Sequence, residues 1–226
     1  MKRYLSISLA VLAIAACQKP VQPEVAPGKV LIEPVITKAT EVNFESGDKI
    51  GFTMTKVNGA ETYADNAALT FDGTVFSGDL KWYADAYSEA DVYAYYPYNA
   101  NGTPAAYAAV LDQTAGIAQA DFMAAAKKGV LPTPNAITMV FKHLMTKLVI
   151  NIDNQSGAEV NAVKILGGDA ACDIDLPNLA VLPASGGMST ELTEITAYEA
   201  TAGKVWKAIV IPQTVKLSVE VSLSNG

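Results

Sequence analysis

Few residues of this chain have the types and the spacing that catalysis requires. His143 is the only histidine, so any site that uses an imidazole must use this one. It lies in a strand-like run beside Phe141 and Leu144, and the sequence contains no G-x-S-x-G motif to supply a nucleophile. Catalysis needs convergent partner groups, which the sequence does not offer for His143. We therefore expect a structural role for His143 and no enzymatic activity.

Patterns that bind metals or cofactors are equally sparse. Asp173 and Asp175 share one face of a short predicted strand and could in principle hold calcium. The glycine and the closing glutamate of a calcium loop are missing, so a solvated pair of carboxylates is the favoured interpretation. The spacing of Cys and His does not suit zinc, and no glycine-rich loop could cradle a phosphate. The sequence thus predicts no metal site and no cofactor.

The N-terminal residues carry a candidate site of covalent modification. Lys2 and Arg3 precede an apolar stretch that is too short to span a bilayer, which is typical of a secretory signal. Ile14-Ala15-Ala16-Cys17 resembles the bacterial lipobox, in which a peptidase cleaves before a cysteine that carries diacylglycerol. We therefore expect residues 1–16 to be a lipoprotein signal peptide and Cys17 to be lipidated. Its acyl chains would hold the exported protein at the outer membrane; an ordinary signal peptide is the alternative.

The charge of the chain argues against nucleic acid as a partner. The sequence has 16 Lys and Arg against 23 Asp and Glu, and two of the basic residues precede Cys17. The mature chain therefore carries 14 − 23 = −9, whereas binding to phosphates requires a basic surface. With Cys17 lipidated, Cys172 has no partner for an intramolecular disulfide, so a buried core must stabilise the fold.

The remainder of the chain reads as a tether followed by short strands. Residues 17–29 contain three regularly spaced prolines, which indicates an extended, semi-rigid tether. Short β-rich runs separated by Gly, Pro, Asn and Asp then predict an all-β protein built of antiparallel sandwiches, over residues 30–154 and 155–226. Asp72-Gly73 predicts a hairpin turn, and residues 120–128 have helical composition. The predicted strands span residues 29–37, 49–55, 68–71, 74–76, 91–98, 137–141, 147–152, 160–166, 172–176, 191–195, 204–211 and 215–223.

Aromatic residues are concentrated in the middle of the N-terminal half. Trp82, Tyr83, Tyr93 and Tyr95 could stack on the sugars of a ligand. They could instead pack the interior of a sandwich with their polar atoms at its rim, and this is the favoured interpretation. The sequence leaves both alternatives open.

Several motifs resemble, in order, those of the fimbrillin (Mfa-like, type V pilin) family of lipoproteins. They are FESGDKIGF at 44–52, YADN at 63–66, LTFDGTVF at 69–76, Trp82, VYAYYPY at 92–98, DFMAA at 121–125, MVFKHLMTKL at 139–148 and IPQT at 211–214. The resemblance implies a fold of two tandem transthyretin-like β-sandwiches, in agreement with the strand pattern.

The resemblance also implies a mechanism of assembly. Such pilins are clipped near the N-terminus and lose their first strand, and the groove then accepts a strand from another subunit. Val30–Thr37, with alternating apolar residues, is the candidate for the removable strand; a permanent first strand is the alternative. The only arginine is Arg3, so processing would require a lysine-specific protease acting at Lys29 or Lys38.

Two functions from different classes follow from these observations. The first is a fimbrial (pilus) subunit or its anchor at the cell surface, which exchanges strands with other subunits and supports adhesion to host or bacterial surfaces. The second is a monomeric surface lipoprotein that binds glycan or protein ligands through the aromatic group. Because the sequence stops at Gly226 directly after a predicted strand, we expect the second sandwich to be incomplete. Either the sequence is part of a longer chain, which is the favoured interpretation, or the protein cannot donate a strand and acts as an anchor, a cap or a non-polymerising relative.

Overall fold

The structure, a computed structural model, describes residues 28–37, 43–57, 61–185, 193–214 and 216–225. Within these ranges the chain forms sixteen strands and one turn of 3-10 helix, Ala118–Ala120. The strands are β1 Lys29–Ile36, β2 Lys49–Lys56, β3 Thr62–Phe71, β4 Phe76–Lys81, β5 Ala90–Tyr96, β6 Ala106–Ala108, β7 Met123–Val130, β8 Ile137–His143, β9 Thr146–Asn151, β10 Val160–Gly168, β11 Ala171–Asp175, β12 Ala180–Pro183, β13 Thr193–Thr196, β14 Tyr198–Thr201, β15 Val205–Val210 and β16 Ser218–Leu223.

Seven strands form a closed sheet in the order β1-β4-β3-β2-β5-β7-β8. Neighbouring strands in this sheet are antiparallel, except that β1 and β8 run parallel. Because β1 pairs with both β4 and β8, it joins the two ends of an otherwise continuous antiparallel sheet of six strands.

The alternation of residue types explains which face of each strand is buried. In β8, Ile137, Met139 and Phe141 are buried while the residues between them are exposed. β1 begins in the same way, with Val30 and Ile32 fully buried. These side chains join one hydrophobic core inside the closed sheet. Burial of each large aliphatic side chain contributes about 1.5–3 kcal/mol, so this interior is the main source of stability for the closed sheet.

A tight turn connects β3 to β4, as the Asp72-Gly73 pair predicts. One carboxylate oxygen of Asp72 accepts hydrogen bonds from the amides of Thr74 and Val75, at 2.8 and 2.9 Å. Gly73 has a φ of 104°, which a side chain would disfavour. The predicted strand over residues 74–76 is wrong, because residues 74 and 75 belong to the turn and β4 begins at Phe76.

The rest of the chain forms three sheets of three strands, in the orders β13-β10-β16, β14-β15-β9 and β12-β11-β6. The first two share a core in which Val163 and Ile165 of β10 cluster with Trp206 of β15. A further buried cluster joins Tyr95 of the closed sheet to Ile174 of β11. The closed sheet and the smaller sheets therefore bury side chains against one another.

The predicted helix over residues 120–128 is wrong. Met123–Val130 form strand β7, which pairs with β5 on one side and β8 on the other. Met123 and Ala125 are buried in the core of the closed sheet, and Ala124 is buried on its outer side in the cluster that contains Tyr95. Small side chains suit the start of this strand, where residues 123–125 are buried on both faces, so tertiary packing overrides the helix propensity of alanine.

The expected all-β class is confirmed, whereas the finer architecture stays a prediction. The strand order described above does not establish two transthyretin-like sandwiches, and the closed sheet includes a parallel pair that the antiparallel expectation did not contain. The division of the chain after residue 154 also stays a prediction; β9, which precedes it, pairs with β15. No helix in the described ranges has the length and the apolar composition needed to cross a lipid bilayer.

Candidate functional site

The first strand, β1, is paired along both of its edges. Its parallel register with β8 runs from Ile32 opposite Ile137 to Ile36 opposite Phe141. On the other edge it is antiparallel to β4, where Ile32 lies opposite Phe76. Ile32, Phe76 and Ile137 are all buried. Ile32 thus lies between Phe76 of β4 and Ile137 of β8. The space between β4 and β8 that β1 fills is called the groove of β1.

Additional hydrogen bonds lie at the two ends of β1. Before the strand, the amide of Trp82 donates to the carbonyl oxygen of Gly28 at 2.9 Å. After it, the amide and the hydroxyl of Thr37 both donate to the carbonyl oxygen of Phe141, at 3.1 and 3.2 Å. Between these ends the strand is held by its backbone ladder, by apolar burial and by a hydrogen bond that the hydroxyl of Thr138 donates to the carboxylate of Glu33 at 3.0 Å. The ladder and the apolar burial are interactions that another strand could reproduce.

A cluster of aromatic rings flanks the groove of β1. The ring of Phe44 meets Phe76, Phe141 and Tyr96 edge to face, with centroid distances of 4.9, 5.2 and 5.4 Å. Such geometry stabilises aromatic pairs beyond the burial of their area. Burial, with the carboxylate of Asp48 beside the hydroxyl, raises the pKa of Tyr96 to about 12. The cluster thus places aromatic rings from both neighbours of β1, Phe76 of β4 and Phe141 of β8, around Phe44.

The predicted processing sites lie at the two ends of β1 in the sequence. Lys29 is the exposed first residue of the strand and lies opposite Lys81 of β4. Lys38 directly follows Thr37 in the sequence but lies outside the described residues, as does the predicted lipidation site, Cys17.

The four aromatic residues predicted to stack on a ligand do not form one exposed surface. Trp82, Tyr83 and Tyr95 are 2%, 6% and 1% exposed, and Tyr93 is half-buried. Trp82 and Tyr83 belong to the interior of the closed sheet, whereas Tyr95 faces its outer side. These positions favour the interpretation in which the rings pack the core over the one in which they bind sugars.

The single histidine is paired with a buried carboxylate. Nδ1 of His143 lies 2.9 and 2.8 Å from the two carboxylate oxygens of Asp121, which is 4% exposed. Asp121 precedes β7 and His143 ends β8, so the pairing of these strands brings the two residues together. Sequence reasoning missed this pair. Both residues belong to motifs of the family resemblance, and that shared membership is the only sequence signal that could have linked them.

The two aspartates considered for calcium each accept hydrogen bonds from another residue of the chain. Asp173 accepts hydrogen bonds from the amide and the hydroxyl of Ser185, the amide distance being 2.9 Å. Asp175 accepts from the amide and the side chain of Asn178, at 3.1 and 2.8 Å. In the part of the chain that the structure describes, no three His, Cys, Asp or Glu side chains are grouped to hold a metal ion.

The thiol of Cys172 is expected to resist alkylation in the folded protein. Burial, with the nearby charges of Asp173 and Asp169, raises its pKa to about 11, and the residue is 2% exposed. Since the thiolate is the reactive form, iodoacetamide at pH 8 should modify folded protein at least about 100-fold more slowly than protein in concentrated urea. Mass spectrometry of the Cys172 peptide measures both rates. Equal rates would show that the thiol is accessible and ionised in the folded state.

Comparison with known proteins places these features in a family. A sequence model of the fimbrillin-like family matches residues 37–226. The fold is similar to the crystal structures of two proposed cell adhesion proteins, from Bacteroides uniformis and Bacteroides ovatus. The first is 24% identical, with a TM-score of 0.64, and the match covers 87% of this chain and 80% of that one. The second is 23% identical, with a TM-score of 0.68 and coverages of 89% and 85%.

A fimbrial protein from Bacteroides ovatus shares the fold more distantly. It is 15% identical, with a TM-score of 0.57, and the match covers 89% of this chain but 45% of that protein. No curated protein matches the chain. The match to the family over most of the sequence, together with the shared fold, shows that the chain belongs to the fimbrillin-like family.

Proposed function

We propose that this protein is a non-enzymatic pilus subunit of the bacterial cell surface, in which a strand of a neighbouring subunit replaces β1. Membership of the fimbrillin-like family supports the class of function. The observation that carries the mechanism is the position of β1, which is first in the sequence and closes the gap between β4 and β8.

The rest of the closed sheet does not depend on β1 for its continuity. Without β1, the strands β4-β3-β2-β5-β7-β8 remain paired in one antiparallel sheet. The two new edges would expose unpaired backbone groups beside a groove that includes the buried Phe76, Ile137 and Phe141. Such an edge pairs readily with an extended segment, because main-chain hydrogen bonds supply affinity and alternate side chains fill the groove.

The groove requires apolar side chains at alternate positions of the strand that enters it. Val30 and Ile32 are fully buried, and Ile36 packs against the same core. Each such side chain contributes about 1.5–3 kcal/mol when it is buried. A replacement strand with a similar alternation would recover this free energy, so the exchange of one strand for the other is close to neutral in free energy.

The two candidate processing sites have different consequences for β1. A cut after Lys29 leaves Val30 and the rest of β1 connected to the chain. A cut after Lys38 separates all of β1 from β2 and the strands that follow. Strand exchange therefore requires the second cut, and we assign processing to Lys38.

Lipidation of Cys17 supplies the route to the cell surface in this proposal. The acylated chain would be held at the outer membrane until cleavage releases the folded part, which then joins other subunits and supports adhesion. A copy that escapes cleavage would keep both its lipid and its first strand, and would serve as an anchor.

The intact mass of protein taken from the surface of its native cell tests the proposal. We expect chains that begin at Ala39, and gels of unheated samples should contain ladders of multimers. The Lys38→Gln variant should keep the mass of a chain that begins at lipidated Cys17 and should form no ladder. Lys29→Gln is the matched control, because it removes a lysine from the other end of β1 and should leave both results unchanged.

One outcome would overturn strand exchange in this groove. If chains without any substitution begin at lipidated Cys17 and form no multimers, β1 is a permanent strand. The protein would then be a membrane-held accessory lipoprotein.

A further inference from the structure

A cavity of about 540 Å³ opens at the end of β1. Its lining includes Thr37, the residue that follows β1, and the pair formed by Asp121 and His143. Two lysines complete its polar lining, Lys142 near the end of β8 and Lys147 in β9. The cavity therefore lies where the groove of β1 meets the link between the closed sheet and β9.

This cavity is positively charged in an otherwise acidic protein. The whole chain carries a formal charge of −7. The one carboxylate in the cavity, Asp121, is engaged by His143. Lys142 is exposed and Lys147 is half-buried, and neither has an ion-pair partner among the described residues. The two ammonium groups thus leave a local excess of positive charge, which favours an anionic group from a partner.

The direction of β1 determines which residue of a strand reaches the cavity. β1 runs parallel to β8 up to the register of Ile36 with Phe141. The next residue, Thr37, bonds to the carbonyl oxygen of Phe141 and lines the cavity. A strand that replaces β1 in the same direction would place its residue at the Thr37 register in the same position, beside Lys142.

We propose that this cavity selects an acidic side chain in the strand that occupies the groove, at the register of Thr37. The inference rests on the strand exchange proposed above and specifies the partner. That partner is a β-strand with apolar residues at the registers of Val30, Ile32 and Ile36, followed directly by Asp or Glu. The apolar residues supply most of the affinity, and the carboxylate supplies discrimination, because a strand with Lys at this register would meet two like charges.

The charge preference is testable in the intact, uncut protein. Thr37→Glu and Thr37→Gln have nearly the same shape, and both lose the hydroxyl bond to Phe141, so they differ mainly in charge. We expect Thr37→Glu to melt about 2–4 °C above Thr37→Gln at low salt, which is the shift expected for a partly screened ion pair in a chain of this size. High salt should reduce the difference.

Removal of the lysines provides the control. In a Lys142→Met/Lys147→Met background, the melting temperatures of Thr37→Glu and Thr37→Gln should coincide. An equal melting temperature of the two variants in the unchanged background would overturn the inference. A difference that persists without the lysines would overturn it as well, since the preference would then come from another source.

Peptide binding separates this inference from strand exchange itself. Fluorescent peptides with the sequence of residues 29–37, carrying Glu, Gln or Lys in place of Thr37, are added to protein cut after Lys38. We expect the Glu peptide to bind about fivefold more tightly than the Gln peptide, with the Lys peptide weakest. Equal binding of all three would overturn the charge selection and support the exchange. If none of the peptides binds, the proposal of strand exchange is wrong. The melting temperatures of the Thr37 variants still show whether the cavity prefers a negative charge.

Discussion

We expect the His143→Ala protein to unfold with a free energy about 3 kcal/mol smaller than that of the unchanged protein. Asp121 is 4% exposed, and both of its carboxylate oxygens lie within 2.9 Å of Nδ1 of His143. Removal of the imidazole leaves the carboxylate buried without that donor, and a buried charge that loses its partner is strongly destabilising. Urea unfolding followed by circular dichroism measures the difference.

Three further variants give this experiment its controls. His143→Asn keeps an N–H donor near the position of Nδ1 and should recover more than half of the loss. Asp121→Ala should cost less than His143→Ala, because the imidazole left behind is 15% exposed and keeps contact with solvent, whereas the side chain of Asp121 is 5% exposed. Lys142→Ala, one residue away, should change stability by less than about 0.5 kcal/mol. Similar losses for His143→Ala and Lys142→Ala would show that the buried pair does not stabilise the fold.

A second large effect is expected at Gly51, where Gly51→Ala should lower the free energy of unfolding by about 3 kcal/mol. A Cβ at this position would lie 2.1 Å from Cε1 of Tyr95 and 2.7 Å from Oδ1 of Asn66. Neither group can retreat easily. The hydroxyl of Tyr95 donates to Asn66 at 2.6 Å and accepts from the amide of Asn99 at 3.1 Å, and its ring stacks on Phe122. Thermal and urea unfolding measure the loss.

The cause of this loss can be isolated with a control glycine and a double variant. Gly28→Ala introduces a Cβ that meets no atom within 4 Å and should be tolerated. In a Tyr95→Ala background the ring that clashes is gone, so Gly51→Ala should cost much less there than in the unchanged protein. An equal cost in both backgrounds would show that contact with the ring is not the reason for the glycine.

Local pattern alone located the strand on which the proposed function depends. The predicted strand over residues 29–37 corresponds to β1, Lys29–Ile36, and its alternation of apolar residues agrees with the burial of Val30 and Ile32. This worked because β1 has one face toward the core and one toward solvent, so the side-chain period of two is visible in the sequence. β7 lacks that period because both faces of its first residues, 123–125, are buried, and its alanines suggested a helix instead.

Residues close in sequence account for most of what the sequence by itself determined about this protein. The all-β class, the turn at Asp72-Gly73 and the family follow from composition, local alternation and short motifs. The tertiary structure alone decided the parallel pairing of β1 with β8, in which the bonded residues Thr37 and Phe141 are 104 positions apart. It also decided the contact of His143 with Asp121, 22 positions apart, and the cavity beside them. No local pattern records such contacts, because they depend on how strands pair across the whole closed sheet.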